Sequence, residues 1–319
     1  MTAVEPPRHA EKGARPHDRD GQQGAGMGIV LMLLAIALFS MMDAMVKWLG
    51  QTYPTMQIMF FRSVFALVPL AFLIGQMGGF AAALKVNDKK GHVIRCFTGL
   101  AALSIFFYCF AHMKLADVVA ISFAAPLFIT ALSVPILGEQ VGKRRWTACL
   151  VGFAGVLVMV NPGASLFGEM ALLALLGTVF YSLAIIYVRK LSKTETNASI
   201  VFYFTVTCIV VSGAVLPFQW VTPSLFDWAL LIAVGLVGGM AQIVITQAFR
   251  LAEVSQVMPL EYTHMIWAVG FGYLIWAEFP SASTWLGVAI VTASGLYIIY
   301  REAYLGRPRG VARRWHSKR

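Results

Sequence analysis

Charge is what this chain has least of. Asp and Glu number 15 in 319 residues and all charged side chains make up 13%, whereas 59% of residues are hydrophobic and the mean hydropathy is +0.73. A water-soluble globule of this size could neither bury that much apolar surface nor coat the remainder with so few charges, so an ordinary soluble domain is excluded. Cysteine is sparse as well. Cys96, Cys109, Cys149 and Cys208 lie inside or at the start of apolar runs, with no CxxC pair, which argues for small core residues and against a disulfide framework or thiolate metal site. No heptad or Gly-X-Y period occurs, and so apolar a chain would collapse instead of staying disordered. An intramembrane enzyme is the rival class, but no HExxH, GxSxG, nucleotide loop or aspartate pair for intramembrane proteolysis is present. His92, His112 and His264 fall in different runs. Catalytic residues, a metal and a cofactor are therefore not expected.

What the chain has instead is ten apolar segments, near 27–48, 56–75, 93–112, 117–137, 146–160, 169–188, 199–217, 228–249, 255–276 and 285–300. Most approach the roughly 20 residues a helix needs to cross about 30 Å of hydrocarbon; 146–160 and 285–300 are short and need flanking residues. The expected fold is an all-α integral membrane protein of ten transmembrane helices. Residues 1–26, rich in Pro, Gly, Gln and charge, form an expected disordered tail. They are too long and too mixed in charge for a signal-peptide n-region, so the first segment is read as retained.

The loops set the orientation. All of the 25 Lys and Arg except Lys47, Lys114 and Arg62 lie in the N-tail, the even-numbered loops or the basic C-tail of 301–319. This bias predicts a cell-membrane protein, inner membrane in a bacterium, with both termini cytoplasmic. The C-tail then serves topology and contact with membrane lipid, not nucleic acid. Arg95 is counted here among the cytoplasmic loop charges.

The chain also repeats. A shift of 142 lays Phe39-Ser40 and Val46-Lys47 over Tyr181-Ser182 and Val188-Arg189; a shift of 136 lays Lys114 to Val118 over Arg250 to Val254; a shift of 139 lays Glu139 and Trp146 over Glu278 and Trp285. Two copies of five spans result, 27–160 and 161–300. Because five is odd, the second copy enters the membrane from the opposite side, giving inverted repeats and, with them, alternating access.

On these residues the chain resembles the EamA family of the drug/metabolite transporter superfamily, over roughly residues 27 to 302. The resemblance rests on the 5+5 arrangement, on Gly138-Glu139 and Ala277-Glu278 closing spans four and nine, and on Val151-Gly152-Phe153-Ala154-Gly155-Val156 in span five. Asp43 with Lys47, Phe60-Phe61-Arg62, Pro126-Leu127-Phe128, Thr222-Pro223-Ser224 and Pro259-Leu260-Glu261-Tyr262 are similar to the branch of bacterial S-adenosylmethionine uptake carriers. Glu261 departs from that branch, which has a basic residue before the tyrosine. The resemblance implies a secondary transporter of a small organic metabolite, of S-adenosylmethionine-like or vitamin-like kind. An efflux carrier for amino acids or their derivatives is the alternative. Its partners would be the small-molecule substrate, lipid and protons, in a monomer or homodimer.

Charged groups inside spans are costly, by roughly 2.5 to 3.5 kcal/mol on insertion scales, and mark the candidate site. Asp43 and Arg62 reach similar depth in spans one and two, with Lys47 one turn from Asp43; this cluster is read either as a substrate or gating site or as a structural ion network, with Lys47 in a gating or structural role, and Arg62 can bond to Asp43, or to a substrate carboxylate if Lys47 neutralises the aspartate. In span nine, Pro259 opens a backbone carbonyl and Glu261, Tyr262 and His264 follow, making Glu261 the first candidate for a proton or cationic substrate. Tyr108 and His112 in span three and Gln242 with Thr246 in span eight form polar stripes. Glu139 and Glu278 are read as boundary residues outside the site. Gly235-xxx-Gly239 and Gly152-xx-Gly155 are read as close helix contacts.

Overall fold

A computed structural model describes residues 16–76, 80–137, 143–160, 165–252 and 257–305, and among them every regular element is helical. The N-terminal residues 1–15, the C-tail beyond 305, Glu139 and the Glu253 repeat match lie outside the described residues. The helices are α1 (Pro16–Gly50), α2 (Thr55–Gln76), the single turn α3 (Phe80–Ala83), α4 (Lys89–His112), α5 (Leu115–Ser122), α6 (Ala125–Leu137), α7 (Lys143–Val160), α8 (Ser165–Leu191), α9 (Asn197–Val215), α10 (Leu225–Leu251), α11 (His264–Trp276) and α12 (Ala282–Leu305), with 3₁₀ turns at Leu216–Phe218 and Met258–Thr263.

Among the described residues, seven stretches are long and apolar enough to cross a membrane: Gly26–Gly50, Thr55–Gly75, Lys89–His112, Leu115–Ile136, Gly168–Leu191, Asn197–Phe218 and Leu225–Leu251. Trp146–Val158 and Ala282–Tyr297 are shorter apolar helices, matching the two segments that were short in sequence. The surface of the bundle carries bare apolar side chains such as Phe72, Ile266 and Leu274, each more than 70% exposed. Water would penalise that surface and lipid would not. The chain is a multi-pass membrane protein.

Proline divides two of the expected spans. Span four is two helices, α5 and α6, because Pro126 near the start of α6 has no amide to carry the ladder back to Ser122; 3₁₀-type bonds from Phe123 to Ala120 and from Ala124 to Ile121 fill the joint. Span nine opens as the 3₁₀ turn Met258–Thr263, with Pro259 at its N-terminal edge, and becomes α-helical only at His264. Other boundaries follow ordinary capping. Asp88 accepts from the Gly91 amide to start α4, Thr196 from Ser199 to start α9, and Ser224 from Asp227 to start α10.

Each half leans on the other. Helix α1 packs along α10 and α4 along α8; α7 lies against α12, α2 against α9 and α10, and α5 against α11. Missing side chains permit the closest of these approaches. A Cβ on Gly239 would stand 2.8 Å from Ala66 Cα of α2, and one on Gly155 would stand 2.8 Å from Ile290 of α12.

Candidate functional site

Between the halves lies a cavity of about 210 Å³. Its walls are apolar, with Phe39, Phe106, Phe107, Phe110 and Phe123 among the rings that line it, and a small set of polar groups converges on it: Asp43, Arg62, Arg95, Tyr181, Gln242, Thr246, Glu261 and His264. An apolar pocket with few convergent polar groups is the ordinary form of a small-molecule site.

Asp43 from α1 meets His264 from the start of α11, with Oδ2 and Nε2 3.2 Å apart. This pair joins the two halves of the chain. It also corrects the depth argument that set Asp43 beside Arg62 as its partner: Arg62 lines the same cavity but is outside ion-pair distance of Asp43. Three residues before His264, in the 3₁₀ turn that Pro259 imposes, Glu261 turns into the cavity and accepts a 3.3 Å hydrogen bond from Tyr181 of α8.

Lys47 does not neutralise Asp43 either. Its Nζ pairs with Glu278 Oε1 at 3.1 Å, donates to the Met113 carbonyl at 2.6 Å and lies 5.2 Å from the centre of the Trp276 ring. Glu278 is aimed there by the end of α11. Ala277 takes a left-handed conformation (φ 55°), and the Glu278 amide reaches back to the Gly272 carbonyl, closing the helix as a glycine would. The other Glu278 oxygen accepts from the Leu115 amide, and Lys114 donates to the Phe279 carbonyl at 3.0 Å. Thr284 of α12 donates to Asp117 of α5 at 2.8 Å. This network closes one end of the bundle across both halves, so Glu278 is a member of the ion network and not merely a boundary residue.

The opposite end has its own tie. The buried Glu195 carboxylate accepts from the Asn87 and Asp88 amides at 2.8 Å each, while Arg250 of α10 donates to the Glu195 carbonyl at 3.0 Å. The Gly91 amide, donating to Asp88, holds the Asp88 carboxyl below the usual carboxylate range.

The remaining sequence candidates separate. Gln242 and Thr246 line the cavity. Tyr108 and His112 do not: they stack on each other with ring centres 4.2 Å apart at the exposed end of α4, His112 bonded to the Tyr108 carbonyl. Tyr262 points away, its ring edge-on to Phe123 and its hydroxyl against Gly295 of α12, where a methyl group would overlap it. The sequence reading missed Arg95. It is 5% exposed, lines the cavity, and lies over the Phe204 ring at 4.2 Å. Its signal is Gly99, one turn later, where any side chain would collide with the guanidinium. No group of three or more His, Cys, Asp or Glu able to hold a metal occurs among the described residues.

The sequence pattern of the EamA-like transporter family matches twice, over residues 26–161 and 169–301. The chain belongs to the EamA-like transporter family. Its relatives include the pseudopaline exporter of Pseudomonas aeruginosa, 31% identical over 84% of this chain and 94% of that protein. The S-adenosylmethionine uptake transporter of Rickettsia prowazekii is 30% identical over 86% and 93%, and the riboflavin transporter of Brucella anthropi 25% over 86% and 99%. A solved crystal structure superposes with a TM-score of 0.64, covering 90% of this chain and 99% of that one at 16% identity, which is a likeness of fold. An EamA-like chain of this kind is a small-metabolite transporter, and the cavity is where its polar residues meet.

Proposed function

We propose that this chain carries a small polar organic metabolite across the cytoplasmic membrane by alternating access, as a ten-helix unit of two inverted five-helix repeats with both termini in the cytoplasm. The observation that carries the reading is the cavity itself: Asp43, Arg62 and Arg95 of the first half face Tyr181, Gln242, Glu261 and His264 of the second. The helix pairing supports the repeat. Exchanging the halves turns the α1 and α10 contact into the α8 and α4 contact, and it returns the α7 and α12 pair to itself. The Lys47 and Glu278 network is the outer seal, and the Glu195 tie belongs to the cytoplasmic end. S-adenosylmethionine-like and vitamin-like compounds, or amino-acid derivatives, carry polar groups of the kind this cavity could meet, and the relatives include carriers named for uptake and for export.

Two measurements test this. Tags at both termini should report the cytoplasm and a tag at residues 162–168 the outside. A cysteine replacing Thr246 in the cavity should react with an impermeant thiol reagent from either face of the membrane, in separate populations of molecules. Reaction from one face alone, under all conditions, refutes alternating access.

A further inference from the structure

Among the described residues, two arginines in the cavity, Arg62 and Arg95, make no ion pair and no side-chain hydrogen bond. Arg62 and Arg95 are 2% and 5% exposed, and Arg62 Nε with Arg95 Nε and Nη1 are buried without a hydrogen-bond partner. The carboxylates that share the cavity are engaged elsewhere, Asp43 with His264 and Glu261 with Tyr181. Among the described residues neither guanidinium lies within 4.0 Å of a carboxylate oxygen. A bare charge inside a span is costly and persists where it has a use.

The surroundings hold both groups in place. Phe204 supports one face of the Arg95 guanidinium at 4.2 Å, leaving its edge donors free. Gly99 makes room for it, since a methyl group there would overlap Nη1. Arg62 lies close to Gly238, where a Cβ would stand 2.6 Å from Met42 Sδ and 3.2 Å from Arg62 Nε. The result is two buried guanidinium groups, from α2 and α4, facing one small aromatic-lined space. A planar guanidinium fork matches a carboxylate in shape and charge.

The geometry points to an anion subsite in which Arg62 and Arg95 bind a carboxylate of the transported solute, whose apolar body lies among the phenylalanines. This rests on the transport reading above and defines its substrate class as organic carboxylates, zwitterions included. A phosphate monoester would bring a second negative charge into a space already holding Asp43 and Glu261, so the carboxylate is favoured.

The test is thermal unfolding of the purified full chain, followed by tryptophan fluorescence, with 3-phenylpropionate, L-phenylalanine, L-phenylalanine methyl ester and phenyl phosphate as probes. At about ten times a probe's Kd, bound ligand should raise the midpoint by about 2 °C. The two carboxylates should do so, and the ester and phosphate should not. Arg62→Gln and Arg95→Gln should each abolish the shift, and Arg62→Lys and Arg95→Lys provide milder variants should those fold poorly. Gly99→Ala keeps both arginines in the sequence but displaces Arg95, and should weaken carboxylate binding about tenfold, the loss of one good charged contact. An equal shift from the ester, a shift from phenyl phosphate alone, no carboxylate shift at all, or a full shift in well-folded arginine variants overturns the proposal. If solute exchange in vesicles proceeds without any carboxylate shift, the subsite fails and the transport reading stands. If the shift depends on both arginines but no bound compound crosses the bilayer, the reverse holds.

Discussion

In the proposed orientation, cutting the bond between Lys47 and Glu278 should open the outer end of the carrier. The Lys47 side chain is 6% exposed and that of Glu278 25%, so the pair is mostly withdrawn from water. Removing one partner of a fully buried pair costs about 3 to 5 kcal/mol. Two features lower that here: Glu278 is a quarter exposed, and it keeps its bond from the Leu115 amide when Lys47 is gone. About 2 kcal/mol remains, which shifts a two-state equilibrium roughly 30-fold. The assay is labelling of Val118→Cys, a cavity-lining position that is fully buried, by an impermeant maleimide applied from outside. The four native cysteines are all buried. Lys47→Met should speed labelling by roughly 30-fold if it tracks that equilibrium, and Glu278→Gln by a comparable factor, with the double variant no faster than the stronger single one. Unchanged labelling, or effects that multiply in the double variant, would refute the seal.

The cavity pair gives a second test. Asp43→Asn and His264→Gln should cost folding stability non-additively, with a coupling of about 1 kcal/mol or more, while Asp43→Asn and Arg62→Gln, which share the cavity without an ion pair, should couple more weakly; the opposite order in thermal unfolding would restore the Asp43 and Arg62 pairing. Glu261→Gln keeps volume and the ability to accept from Tyr181 but removes the charge, so membrane expression should be normal and gradient-driven accumulation lost, with exchange across the bilayer preserved. Accumulation with an unchanged pH profile would leave Glu261 a purely structural role. Ala277→Gly relieves a left-handed alanine at the end of α11 and should stabilise the protein by about 1 kcal/mol, read as a higher unfolding midpoint in detergent; a lower midpoint would mean that the methyl group is needed for packing.

Lipid makes the spans easy to see in sequence, because a helix that crosses hydrocarbon must be apolar over nearly its whole length. Pro259 marked where span nine would lose its backbone ladder, although not that a 3₁₀ turn would carry Glu261 into the cavity. Asp43, Arg62, Gln242, Glu261 and His264 were recognisable as polar groups at membrane depth. Their pairing was not: Asp43 and His264 belong to opposite halves, and no local spacing connects residues that meet only when the halves pack. Tyr108 and His112 share a helical stripe with Ser104, but periodicity alone does not say which neighbour covers that stripe. Arg95 follows Lys89 and Lys90 so closely that it reads as one more loop charge. Only the start of α4 at Lys89, capped by Asp88, places it inside the bundle. Glu278 was passed over because its direction depends on the left-handed turn at Ala277.

The central claim, that solute passes through the cavity between the halves, is tested most directly by counterflow. Purified protein in vesicles, preloaded with unlabelled compound from a metabolite panel, should drive saturable uptake of the labelled form. Ala102→Trp, which fills the cavity from α4, should abolish that uptake while the protein remains folded and membrane-inserted. Counterflow that persists with the cavity filled would contradict the account.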